Sequence, residues 1–138
     1  MPLFNAQPVG SAITALAERP QVDFEVEFFD RVLAQVPDYV EVLRAQASNL
    51  TLKGRIREGL KVDQRLVATR PRDATAHYNL ACRYAVLRQR ELALKTLRRA
   101  VELGYRDFRY MVRDSDLASI QKDPKFLELL RDYGGIAS

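Results

Sequence analysis

The sequence of 138 residues predicts an all-α fold, a right-handed stack of antiparallel helical hairpins of the α-solenoid type. Three observations lead to this prediction. Apolar residues recur at steps of three and four along most of the chain, which is helical periodicity. Pro37 and Pro71 are 34 residues apart, and a similar helix-turn-helix pattern follows each of them. No run alternates apolar and polar residues between hairpin-turn residues, as β-strands would.

Composition limits the class of protein. The chain is 47% hydrophobic and 29% charged, which is ordinary for a globular protein, and its length fits one domain. No apolar run approaches the ~18 residues of a membrane helix, so we expect no membrane insertion. The start, MPLFNAQPVG, lacks the basic-then-apolar order of a secretory signal. With Cys82 as the single cysteine, these features predict a cytoplasmic protein without disulfides.

The first 36 residues predict an arm followed by a degenerate half-repeat. Residues 1–10 contain two prolines and no periodicity. They are expected to be either a disordered tail or an arm that lies in or beside a binding groove, its own or that of a second subunit. Over residues 11–36, Ser11 caps a short helix that Pro20 interrupts. Asp23 then opens a second helix, whose apolar stripe is widened by Phe24 and Phe28. Such a broad stripe indicates burial on more than one side, or an oligomer contact.

Residues 37–70 predict the first complete hairpin. Gly54 lies in its turn and Pro71 follows it. Gln46 and Asp63 stand where the repeat pattern expects apolar residues, on facing helices. We expect the two side chains to hydrogen-bond to each other, because a lone buried carboxylate is costly. The alternative is that Asp63 reaches water or an arginine.

Residues 71–104 predict the second hairpin and residues 105–138 a C-terminal cap. Asp73 is placed to cap the first helix, Leu80 lies in its apolar stripe, and Gly104 ends the second helix. Beyond Gly104 the periodicity weakens, but Asp123-Pro124 is a helix-start signal. A stack of helical repeats needs a terminal unit that covers its last apolar face.

Residues 71–104 resemble a tetratricopeptide repeat (TPR), of the kind found in small bacterial proteins. The TPR pattern runs W-x2-L-G-x2-Y and then A-x3-F over about 34 residues. His77 stands in the Trp place, Leu80-Ala81 in the Leu-Gly places, and Tyr84 in the Tyr place. Ala93 and Leu97 follow as A-x3-F. Residues 37–70 match the same pattern more weakly, which gives about two full repeats, a half-repeat and a cap.

The resemblance implies a non-enzymatic protein-interaction module. In TPR proteins the first helices of successive repeats line a concave groove, which binds an extended peptide or a helix of a partner protein. The residues that the resemblance places in this groove are Arg44, Ser48, Thr51, Leu52, Thr75, Tyr78, Cys82 and Val86.

No pattern in the sequence indicates catalysis, a metal or a cofactor. His77 is the only histidine and stands in a large-residue place, where a packed side chain is expected. It has no ligand partner at helical spacing, and the six glycines form no phosphate-binding loop. We therefore expect no catalytic, cofactor-binding or metal residues.

Charge distribution leaves two alternatives to partner binding. Residues 1–36 carry a net charge of −3, residues 37–105 carry +7, and residues 106–138 carry 0. An acidic, apolar helix from Asp23 to Val36 can dock on a basic neighbour, which predicts a homo-oligomer. The pI of about 9.4 also admits nucleic-acid binding, but no recognised nucleic-acid motif supports it.

Overall fold

Helices make up nearly all of the described chain. The structure, a computed structural model, describes the backbone of residues 10–135 and the side chains of residues 21–135. The arm predicted at the N-terminus thus falls outside the described residues, except for Gly10. Within residues 10–135 the chain has no β-strand, which confirms the all-α class. The helices are α1 (Gly10–Gln35), α2 (Val40–Leu52), α3 (Ile56–Thr69), α4 (Ala74–Val86), α5 (Arg90–Glu102), α6 (Phe108–Met111) and α7 (Pro124–Gly134), with a 3₁₀ turn at Ser115–Leu117.

Helix α1 is one continuous helix of 26 residues. The prediction of two helices separated at Pro20 is therefore wrong. A proline inside a helix removes one backbone hydrogen bond and bends the axis, but it does not have to end the helix. No glycine or turn residue accompanies Pro20 to turn the chain around.

Helices α2 to α5 form two antiparallel hairpins. Asp73 is the N-cap of α4, where its Oδ1 accepts a hydrogen bond of 3.0 Å from the Ala76 N–H. The tight turns inside the two hairpins require a left-handed residue, which is Gly54 at φ 72° in the first and Arg88 at φ 60° in the second. These two residues are 34 apart, so the backbone repeats with the period seen in the sequence.

Two groups of buried apolar side chains form the core. The larger one joins α4 and α5 to the C-terminal residues, and it contains Leu80, Leu97, Met111, Leu117 and Phe126. A smaller one joins α1, α2, α3 and α4 through residues such as Leu43 and Leu66. His77 is buried and its Nε2 donates to the Pro71 carbonyl over 2.9 Å, so it is a packed histidine, as predicted.

The C-terminal residues cover the end of the stack. Aspartates cap each short element: Asp107 caps α6, Asp114 the 3₁₀ turn and Asp123 helix α7. Pro124 occupies the first turn of α7, where its missing N–H is tolerated. Because Phe126, Leu129 and Leu130 of α7 are buried, this segment seals the apolar face of α5.

Candidate functional site

The predicted groove residues divide into a covered group and an open group. Tyr78 and Cys82 of α4 are covered, with 4% and 8% of their surface exposed. The 3₁₀ turn and its neighbours lie on them: Tyr78 Oη donates to Asp114 Oδ2 over 2.6 Å, and Cys82 Sγ lies 3.6 Å from the same oxygen. A further bond of 2.8 Å runs from Ser119 Oγ to the Ala85 carbonyl. The chain's own C-terminal segment therefore fills this part of the predicted groove, and Tyr78 and Cys82 are closed to a partner.

The covered cluster is closely packed. The Tyr78 ring stacks on the Tyr105 ring, with centroids 4.1 Å apart and planes 2° from parallel. Burial raises the pKa of the Tyr78 hydroxyl, and its bond to Asp114 raises it further. Burial, followed by the nearby charges of Asp114 and Asp116, raises the pKa of the Cys82 thiol. At neutral pH the thiol is protonated, so Cys82 is not an activated nucleophile.

The open group lies on one face of α2 and α4, which we call the α2–α4 face. Its members are Arg44, Ser48, Thr51, Leu52, Thr75 and Val86. Leu52 is 73% exposed and Val86 is 43% exposed. The two are 34 residues apart, so they hold equivalent places at the ends of α2 and α4.

The floor of this face is a buried ion pair that the sequence did not reveal. Arg83 Nε donates to Asp63 Oδ2 over 2.8 Å, and both side chains are nearly inaccessible. Arg83 Nη1 donates to Thr51 Oγ1 over 2.6 Å, which links α4 to the α2 side of the face. A carboxylate in an apolar place of the pattern was a signal that a cation had to be nearby. The sequence did not show which arginine would supply it.

Gln46 and Asp63 do not pair, so that prediction is wrong. Gln46 Nε2 donates instead to the Val26 carbonyl over 3.0 Å and to Asp30 Oδ1 over 2.7 Å, both on α1. Asp63 turns to Arg83, which is the alternative that the sequence left open. Asp63 pairs with Arg83 and not with Gln46, because a charged donor stabilises a buried carboxylate more than a neutral amide does.

Gly59 on α3 makes room for the Arg83 guanidinium. A Cβ atom at Gly59 would lie 2.7 Å from Arg83 Cζ, closer than nonbonded carbon atoms approach. In the repeat pattern Gly59 stands in the place that Ala93 holds in the next repeat. Because Gly59 has no side chain, the guanidinium of Arg83 fits between the two hairpins.

Gly59→Ala is expected to lower the free energy of unfolding by about 1–3 kcal/mol, because the new methyl group overpacks the guanidinium. In a helix interior, replacing glycine with alanine ordinarily stabilises the protein by about 0.5–1 kcal/mol. A decrease in the free energy of unfolding would therefore indicate the clash with Arg83. Urea melts measure it. As a control, the same change in an Arg83→Met background removes the clash and should be neutral or stabilising; a loss there would contradict the explanation.

The other end of the face carries a second, more exposed ion pair. Arg44 Nη2 binds Asp73 Oδ2, so one carboxylate serves both as the N-cap of α4 and as a partner of α2. Partial burial opposes ionisation of Asp73, but the bonds from Arg44 and from the Ala76 N–H outweigh it and hold its pKa below the ordinary value. Arg44 is thus held in place at the rim of the face.

No part of the described chain offers a metal site or a membrane span. Among residues with described side chains, no three histidine, cysteine or acidic groups converge. None of the helices in the described range is long and apolar enough to cross a bilayer.

Hairpins α2–α3 and α4–α5, their repeated turns and their C-terminal cap define a TPR-like helical-repeat protein. The solved structure of the MamA RS-1 ArsTM double mutant is similar, with a TM-score of 0.58 and 25% sequence identity over 86% of this chain and 71% of that chain. A chloroplastic protein from Arabidopsis thaliana is 31% identical over 83 residues, which are 58% of this chain. The matched segment spans only 25% of that relative's length. No family model matches the chain. A MamA-like fold suggests a protein-interaction or scaffold module.

Proposed function

We propose that this protein is a non-enzymatic interaction module that binds a segment of a partner protein along the α2–α4 face. The observation that carries the proposal is the exposure of Leu52, the most exposed large apolar side chain in the described range. Exposed apolar surface next to a few polar groups is typical of interaction sites.

The α2–α4 face has the polarity of a peptide-binding surface. Leu52 and Val86 offer an apolar contact at one end, while Arg44 offers a cation at the other. Ser48 lies between them as an exposed hydroxyl. Because the Arg83–Asp63 pair fixes the floor, the face is held in shape before a partner arrives, which limits the entropy lost on binding.

Charge defines the class of partner. Residues 37–105 carry a net charge of +7, so an acidic segment is attracted to this part of the chain. The preferred ligand is therefore a segment with one or two apolar side chains for Leu52 and Val86 and acidic groups toward Arg44. Its binding should weaken as salt concentration rises.

Leu52→Glu is the test variant, because it places a like charge before an acidic ligand and removes the apolar contact. Tagged wild type and variant are used to capture proteins from a lysate of the native host, and captured proteins are identified by mass spectrometry. For a purified partner, calorimetry should then show at least about tenfold weaker binding to the variant.

The matched control is Leu92→Glu, since Leu92 of α5 is a half-exposed leucine away from the α2–α4 face. It should bind the partner as the wild type does. If Leu52→Glu and Leu92→Glu bind every captured protein equally well, the partner uses another surface and the proposal fails. Thermal melts of both variants show that neither result comes from unfolding.

A further inference from the structure

The outer side of helix α1 carries two phenylalanines that nothing in the described chain covers. Phe24 is 64% exposed and Phe28 is 47% exposed. Their rings lie nearly parallel, with centroids 6.1 Å apart. Val26 is buried against the stack, and at 3.6 residues per turn both rings point away from it. The two rings therefore form an exposed aromatic surface along about one turn of the helix.

Among the described elements, the main packing partner of helix α1 is α2. In each complete hairpin the second helix packs against the first helix of its own repeat: α3 packs on α2, and α5 packs on α4. Helix α1 holds the place of a second helix and packs on α2, the first helix of the following repeat. Within the described residues, no first helix of its own lies on its outer side.

Residues 21–35 carry four carboxylates and one arginine. Three of the carboxylates bond to side chains on or next to α2, and these are Asp23 to Lys53, Glu25 to Asn49 and Asp30 to Gln46. Glu27 and Arg31 face the same side as the phenylalanines, 3.8 Å apart and largely exposed. A two-fold axis beside Phe28, running across two antiparallel copies of α1, places the two Phe28 rings together. It also brings Glu27 of each copy within one helical turn of Arg31 of the other. Such self-complementarity is what a two-fold symmetric interface requires.

We propose that residues 21–35 of α1 pair antiparallel with the same segment of a second copy, which makes the protein a symmetric dimer. The Phe24 and Phe28 rings of the two copies become the apolar centre of the contact. One helix face of about four turns is small for an interface, so the dimer dissociates in the micromolar range. The α2–α4 face is not part of this contact and stays open in both copies.

Charge-reversed pairs test the arrangement directly. Glu27→Arg and Arg31→Glu each place like charges across the two-fold axis, so each variant alone should be monomeric at about 100 µM. An equimolar mixture of the two should form a heterodimer, because at positions 27 and 31 one copy then has two cations and the other has two anions. Neither variant retains the Glu27–Arg31 pair within its own helix, so a gain on mixing reports contact between copies. Light scattering after size exclusion and sedimentation velocity measure the mass.

Phe28→Ala should weaken the dimer by at least about tenfold, since the substitution acts twice at a symmetric contact. Leu92→Ala removes a comparably exposed apolar group from α5 and should leave the dimer unchanged. A monomeric wild type at about 100 µM would overturn the proposal and leave the α1 face to a helix of another protein or to residues 1–9. A dimer that survives Phe28→Ala, or a charge-reversed mixture that stays monomeric, would overturn it as well.

Discussion

Replacing Arg83 with alanine is expected to lower the free energy of unfolding by about 3–5 kcal/mol, because it leaves a buried carboxylate without its cation. Arg83 bonds to Asp63 on α3 and to Thr51 on α2. The single substitution therefore loosens the contact between the two hairpins. Total stabilities of single domains are about 5–15 kcal/mol, so this change should be visible as a large shift in a urea melt.

The decrease in the free energy of unfolding caused by Arg83→Ala should grow as the pH rises. Burial raises the pKa of Asp63 even in the wild type, although Arg83 opposes the shift. Without Arg83 the opposing effect disappears and the pKa of Asp63 rises further, while an unfolded aspartate titrates near about 3.9. Below that pH both states are protonated and the penalty is absent. As pH rises toward the folded pKa, the native state binds more protons than the unfolded state, so the stability of the variant falls.

Two further variants check the Arg83 prediction. Asp63→Leu combined with Arg83→Met removes both charges at similar volume, and it should cost much less than Arg83→Ala alone. The melts are repeated between about pH 4 and pH 7.5. A loss under about 1 kcal/mol for Arg83→Ala, or a loss that does not depend on pH, would mean that Asp63 reaches water and is not sealed in.

The second large effect is expected for Leu80→Ala. Leu80 is 6% exposed and belongs to the main core of α4, α5 and the C-terminal cap. Truncating it opens a cavity and should cost about 2–5 kcal/mol, depending on how far the neighbours collapse. Val86→Ala on the same helix removes a half-exposed side chain and serves as the control. Denaturant melts in which the two variants differ by less than ~1 kcal/mol would show that Leu80 is not part of the core.

The C-terminal segment changes what the repeat can bind. A groove over α4 would have had Tyr78 and Cys82 at its centre, and Asp114 occupies that space with its carboxylate. Because Met111, Leu117 and Ile120 of the same segment are fully buried, the segment is part of the core. The groove predicted from the sequence is thereby shortened to the α2–α4 face.

The candidate site was only partly predictable. The exposure of Leu52 and Val86 was expected from the repeat pattern, since these residues fall on the side of the first helices that lines the predicted groove. The same pattern placed Tyr78 and Cys82 beside them, because repeats are equivalent in sequence. The two repeats differ in their surroundings: the C-terminal cap lies on α4, and its aspartate caps gave no indication of which helix they would face.

The sequence by itself determined the all-α class, the 34-residue repeat and the caps at Asp73 and Asp123. These features depend on periodicity and on contacts between residues a few positions apart, so short stretches of chain contain them. Only the tertiary structure decided the partner of Asp63, the covering of Tyr78 and the exposure of Phe24. Asp63 and Arg83 are 20 residues apart, and Tyr78 and Asp114 are 36 apart. Such contacts depend on how whole helices are rotated and stacked. Rotating a helix by the angle between two successive residues would give a buried carboxylate a different partner.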